Sequence, residues 1–333
     1  MKPAARKTVV LLVLALSFGC AGELPPGSEL LSEPDGLVIP KGLDGPETSS
    51  LLGEPLARIH VPIGHLQLLE GNLARAQADY DAAPGEEDSI IWLGRRLAYL
   101  GRYREAVKAY TRGLDLHPNS ARLLRHRGHR YITLRQFDRA IDDLIQAANL
   151  TRGTEDKIEP DGIPNAINQP LSTLHFNIHY HLGLAHYLKG DFESALSTYK
   201  ECMTVSTNPD LLVATTDWMY MTLRRLGRHE EAEALLEPIH ADIPIVENVA
   251  YHRRLLMYKS GLGAEDLLDL RRVDNPDIAL NIATQGYGVA NWYLYNGDTE
   301  RALEILLHIL DGNSWAAFGY IAAEADIARM GGQ

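Results

Sequence analysis

The amino-acid sequence predicts an all-α fold, a solenoid of about six to seven helix–turn–helix repeats closed by a C-terminal capping helix. Three observations predict it. Small residues recur at a spacing of 34, from Gly94 to Gly128 and from Ala106 to Ala140. Large apolar residues return at helical intervals between them, as in Tyr110, Leu144 and Tyr199. Glycines such as Gly101, Gly190, Gly227, Gly261 and Gly297 fall between the helical stretches, where a chain reversal needs them. A fixed period of this length dictates a stack of like units, each burying its apolar face on the next.

Composition is consistent with this and narrows function. Of 333 residues, 45% are hydrophobic and 23% charged, enough apolar material for a sizeable core. No apolar run is long enough to span a bilayer. The net charge of −12 disfavours nucleic acid as the main partner, because phosphate binding draws on clustered Lys and Arg.

Taken in order, the chain opens with MKPAARK, then TVVLLVLALSF, then Gly19-Cys20. A basic stretch, a short apolar segment and a small residue describe a signal peptide over 1–19. A small residue directly before Cys resembles the processing site of bacterial lipoproteins, which implies lipidation of Cys20. Cys202, the only other cysteine, is then a lone thiol on an apolar helix face, inert rather than nucleophilic. Residues 20–56, rich in Pro, Gly, Glu and Ser, read as the lipidated cysteine and a flexible tether.

Residues 57–333 carry the repeats. A weak copy spans 57–83, with Gly64, Gly71, Ala76 and Tyr80; clear ones span 87–120, 121–150 and 176–209. The frame continues over 213–246, 247–272 and 283–312, and the unpaired segment 315–330 reads as the cap. Between the third and fourth copies, residues 151–175 break the period; Pro160, Pro164 and Pro170 exclude a regular helix there, leaving either a lid or contact loop or a passive insertion.

Trp92-Leu93-Gly94, Gly101, Ala106, Tyr110 and Pro118, returning as Gly128, Tyr131, Ala140 and Ala147, resemble the tetratricopeptide repeat. The resemblance implies a right-handed superhelix whose first helices line a concave binding face, and a role in binding protein partners. By the family's pattern that face would present Arg95, Tyr99, Arg122, Arg125, His126, His129, Asn177, Tyr180, His181 and Tyr187, continued by Tyr251, Tyr258, Lys259, Tyr287, Asn291 and Tyr295. Three arginines with histidines and tyrosines suit an anionic protein or peptide contact. The alternative is a solvated face in which these cations pair with Asp138, Asp142 or Asp143 on the second helices. On the inner-face assignment, Arg122→Ala or Arg125→Ala leaves the melting temperature nearly unchanged. Ile91 stands where chaperone-binding members carry the first residue of their carboxylate grip, so no chaperone tail is expected.

Enzymatic readings are weaker. His175 and His179 share a helix face at zinc-ligand spacing, with Asp161 or His129 as a third ligand, but no HExxH, GxSxG, GxGxxG or phosphate loop accompanies them. No cofactor and no catalytic residue is assigned. The sequence is therefore read as an exported, lipid-anchored scaffold of the bacterial cell envelope, on the periplasmic side of the outer membrane. A small-ligand or glycan receptor with 151–175 as its lid is the alternative, and a metal-dependent enzyme the more distant one.

Overall fold

A computed structural model describes residues 45–59, 61, 63–260, 263–264, 267–268 and 276–331. The leader and Cys20 lie outside the described residues, as do Gly261 and most of the rest of the 247–272 repeat after it. Thirteen helices are present among the described residues, and none is long and apolar enough to cross a membrane.

Helix α1 (Ile63–Ala82) precedes five pairs: α2 (Glu87–Tyr99) with α3 (Tyr103–Leu116), α4 (Ala121–Thr133) with α5 (Phe137–Thr151), α6 (Leu174–Lys189) with α7 (Phe192–Val205), α8 (Pro209–Arg225) with α9 (His229–Leu236), and α11 (Pro276–Tyr295) with α12 (Thr299–Leu310). Helix α10 (Val249–Ser260) stands between the last two, and α13 (Phe318–Gly331) ends the chain. The expected 57–83 repeat is corrected: Gly64 and Gly71 lie inside the single helix α1 and make no turn.

Three of the pairs are each drawn together by one glycine. A Cβ on Gly94 would collide with the Tyr110 ring; on Gly128 it would lie 2.8 Å from Leu144 Cγ, and on Gly183 2.6 Å from Tyr199 Cε1. The glycine of the first helix thus receives the large residue sixteen positions on, which lets two helix backbones approach closely. First helices also stack on one another, α2 on α4, α4 on α6, α6 on α8 and α8 on α10, while the second helices contact chiefly their flanking helices. This is an all-α solenoid with an inner layer and an outer layer.

Two segments depart from expectation. The tether is docked from residue 45 onward: β1 (Thr48–Ser49) pairs antiparallel with β2 (Pro55–Leu56), and Leu56 is buried. Glu47 holds this hairpin by accepting from the Arg104 backbone N–H at 2.9 Å and pairing with Arg58 at 3.1 Å, while Thr48 Oγ1 donates to Leu134 O at 2.8 Å.

The second is α13. Expected to cap the stack without a partner, it lies on α11, α12 and α6, so the inner layer wraps around it. Phe318 packs against His129, Tyr180 and His181, and Arg329 Nη1 donates to Leu188 O at 2.8 Å. Trp315, just before the helix, donates from Nε1 to Ala57 O at 2.8 Å and so reaches back to the start of the fold.

Candidate functional site

The strip expected on the concave face does line the inner layer, but most of it is covered by the chain itself. Tyr180, Tyr187, Tyr251, Tyr287, Asn177, His181 and Asn291 are buried. Tyr180 Oη accepts from Trp218 Nε1 at 2.8 Å and shares a hydrogen bond with Tyr251 Oη at 3.1 Å. Tyr287 Oη and Asn291 Nδ2 each donate to Tyr187 Oη at 2.8 Å, while Asp326 of α13 takes Arg225. Tyr295 is half-buried under the Arg224 guanidinium, and Tyr258 stacks on Tyr220 with ring centroids 4.5 Å apart. Lys259 donates to Glu237 O at 2.8 Å and Ile239 O at 2.7 Å, so it tethers a loop. Apart from exposed Lys259 and half-buried Tyr295, these positions are corrected from groove to core; over α6 and α11 the space that an open superhelix leaves to a ligand is filled by α13.

The other half, Arg95, Tyr99, Arg122, Arg125, His126 and His129, has a different fate. Arg122 sits at the edge, half-buried, paired with Glu87 at 2.8 Å and Asp88 at 2.7 Å on the neighbouring first helix rather than with Asp138, Asp142 or Asp143. The rest face the insertion, which crosses the inner layer. Its backbone returns through a bridge between Ile158 and Thr173, and Asp156 Oδ1 accepts from the His175 backbone N–H at 2.9 Å. Arg95 donates to Pro160 O at 2.7 Å and Arg96 to Gly162 O at 2.9 Å. Gly162 is packed so tightly on Tyr99 that a Cβ there would occupy the phenol oxygen's place. Asn165 Nδ2 donates to Glu247 Oε1 at 2.5 Å, closing the far side.

Beneath the insertion lies a cavity of about 80 Å³. Arg95, Tyr99, Tyr110, Arg125, His126, His129 and Arg130 form its floor, with Glu159 to Ile163, Ser172 and Glu247 forming the cover. The spacing of α4 explains the floor: Arg125, His126, His129 and Arg130 recur at one and four residues and share a helix face. Arg130 belongs to this set, yet the family's pattern of inward positions did not single it out; its place one turn from His126 was the available signal.

Charge in the cavity is uneven. Glu159 Oε2 pairs with Arg125 at 2.9 Å and accepts from Asn177 Nδ2 at 2.5 Å. Burial lowers Arg125 from its usual value, and the Arg95 and Arg130 charges push the same way against the pull of Glu159. Burial holds His126, His129 and His181 well below the usual histidine range, reinforced by neighbouring arginines, so these rings are neutral donors and acceptors. His126 Nδ1 accordingly accepts from Arg125 Nη1 at 2.8 Å. Burial raises Asp161, with Arg95 opposing. Glu247 is pushed up to about 7, first by burial.

No three His, Cys, Asp or Glu side chains converge as metal ligands among the described residues. His129 stacks on His181 with centroids 4.2 Å apart, and His175 faces Thr154 Oγ1 at 3.2 Å, so the pair proposed as zinc ligands is not joined by His129. Cys202 is buried with Sγ 3.3 Å from Thr215 Oγ1, and burial pushes its thiol up to about 12.

Models of the tetratricopeptide repeat match residues 93–152 and 176–209. Among curated proteins, the BBSome complex member BBS4 of Bos taurus is 26% identical over 168 residues, 49% of this chain and 28% of that protein; the Mus musculus counterpart is 24% identical over 157 residues, 46% of this chain and 26% of that protein. The matched stretch thus covers about a quarter of these relatives' length. Among solved structures, a tetratricopeptide repeat protein from Parabacteroides merdae aligns with a TM-score of 0.46 at 15% identity, covering 76% of this chain and 92% of that one. YrrB, described as a TPR protein with an unusual peptide-binding site, aligns with a TM-score of 0.40 at 15% identity, covering 71% and 91%.

Proposed function

From a chain built on tetratricopeptide repeats, which serve as protein-interaction scaffolds, we propose an exported scaffold of the bacterial cell envelope, anchored by lipid at Cys20, that engages its partner through the insertion edge of the superhelix. Export and anchoring are supported by the basic and apolar leader ending at Gly19-Cys20. The periplasmic side of the outer membrane is the location this reading favours.

One observation carries the choice of edge. The inner layer behind the insertion is occupied by α13, whereas the insertion itself turns two large apolar side chains outward, Ile158 at 64% and Ile167 at 49% exposure. Long ordered loops on a rigid stack are where such folds place contacts. The partner segment then needs an apolar side chain for these isoleucines.

The test is site-specific photocrosslinking in the source cells. A photoreactive residue at Ile158 or Ile167 is expected to capture one defined protein, while the same residue at Leu116 or Ile145, exposed on the outer helices, captures none. Capture only from the outer positions moves the binding face; capture from neither overturns the scaffold reading. Cys20→Ser is expected to shift the protein from the membrane to the soluble fraction, and an unchanged membrane fraction overturns the lipid anchor.

A further inference from the structure

Among the described residues, the cavity under the insertion has one cation that no side chain or carbonyl answers. Arg130 is 8% exposed, and its guanidinium makes no hydrogen bond or ion pair with any described residue; it lies 5.5 Å from the Tyr103 ring. The other cations are answered: Arg125 by Glu159, Arg95 by the Pro160 carbonyl with Asp161 opposite, and Arg96 by the Gly162 carbonyl. Its nitrogens are not sealed in the core: they reach the cavity space, where their donors stay open to a ligand. Five N–H donors in a planar fork are laid out for an oxyanion.

We propose that this cavity is a binding site for a compact oxyanion of the carboxylate or phosphate class, held by the Arg130 fork and covered by the insertion. The space fits: about 80 Å³ is several times what one water needs. The floor supplies further donors. Tyr99 and Tyr110 carry hydroxyls, and the neutral rings of His126 and His129 can donate from whichever nitrogen is protonated, so the anion would be fully hydrogen-bonded with Arg130 as its counter-charge. Arg95 and Arg125 lie behind and set a positive field. Asp161 and Glu247 stand on the cover rather than the floor; with Glu247 protonated below about pH 7, the cover repels an incoming anion less in that range. The site needs no protein partner, so its test is independent of the scaffold.

The purified mature protein is titrated with inorganic phosphate and, separately, with acetate at constant ionic strength, with chloride as the reference. The expected result is a saturable rise in unfolding temperature for at least one of them, with one-to-one calorimetric stoichiometry. Phosphate alone or acetate alone assigns the anion. Arg130→Met is expected to abolish the response while leaving ligand-free stability unchanged or raised, because it removes an unmatched charge. Arg130→Lys keeps the charge, loses the fork and is expected to bind at least tenfold more weakly. No saturable response to either anion in the wild type, or an undiminished response in both variants, overturns the proposal.

Discussion

Arg135, in the turn between α4 and α5, is held by Glu324 of α13, 189 residues later, at 2.8 Å. The same guanidinium donates to Thr133 O at 2.6 Å and Trp315 O at 2.8 Å and lies over the Trp315 ring. Its backbone is in the left-handed region, φ 61°, at the position where the preceding repeat has Gly101 at φ 69°. Arginine thus occupies a glycine site because its side chain anchors the C-terminal helix. Glu324 is 1% exposed, so Arg135→Ala leaves a buried charge unmatched and should cost about 3–5 kcal/mol. Arg135→Gly relieves the turn and should lose about 1 kcal/mol less. Equilibrium urea denaturation of both variants measures the difference.

The close approach of α13 to α11 makes a second prediction. A Cβ on Gly319 would collide with the Ala283 carbonyl oxygen, a backbone atom that cannot swing aside. Gly319→Ala should therefore lift α13 from the inner layer at a cost of about 1–3 kcal/mol or more, and hydrogen exchange should rise in α13 before it rises in α4 or α6. Equal protection in all three helices would refute the packing.

Glu247 links stability to pH. Burial pushes it up to about 7 in the folded chain, with Asp161 and Asp210 adding to the shift and the Asn165 hydrogen bond opposing. Unfolded, it titrates near the ordinary glutamate value of about 4.5. Between these values the folded state keeps a proton that the unfolded state has lost, so this group's contribution to stability falls as pH rises from about 4.5 to about 7. The buried histidines act oppositely, gaining stability as pH rises through the unfolded histidine range near 6.5. The wild-type curve mixes both, so the quantity to measure is the stability difference between wild type and Glu247→Gln. That difference should move in favour of the glutamine variant between pH 5 and 7.5.

The repeat architecture was legible because its causes are local. Gly94 and Gly128 sit 34 residues apart since each must admit the large residue of its own hairpin, and nothing distant alters that. Helix α1 was misread because Gly64 and Gly71, turn residues by type, are tolerated on an exposed helix face. The burial of the inner strip could not be read locally, because a helix face is set by residues three and four apart whereas its cover comes from elsewhere. Tyr187 gives no local sign of the Tyr287 hydroxyl, and Arg135 none of Glu324. Arg130 escaped notice for the converse reason: its distinction is a missing partner, which only the assembled cavity reveals.

Arg122 and Arg125 lie one helical turn apart, and the sequence assigned them one behaviour; the structure separates them. Arg122 is half-exposed and its partners Glu87 and Asp88 keep solvent contact, so Arg122→Ala should change stability by about 0–1 kcal/mol. Arg125 is buried against Glu159, which is itself buried and holds the insertion on α4 and α6 through Asn177. Arg125→Ala strands that carboxylate and should cost about 3–5 kcal/mol, whereas Arg125→Ala combined with Glu159→Gln should recover part of the loss. Thermal and urea denaturation of the two single variants and the double decide it. If Arg125→Ala proves as mild as Arg122→Ala, the insertion does not rest on this pair, and the cover over the cavity is held by its other contacts, those of Arg95, Arg96, Asn165 and Asn177.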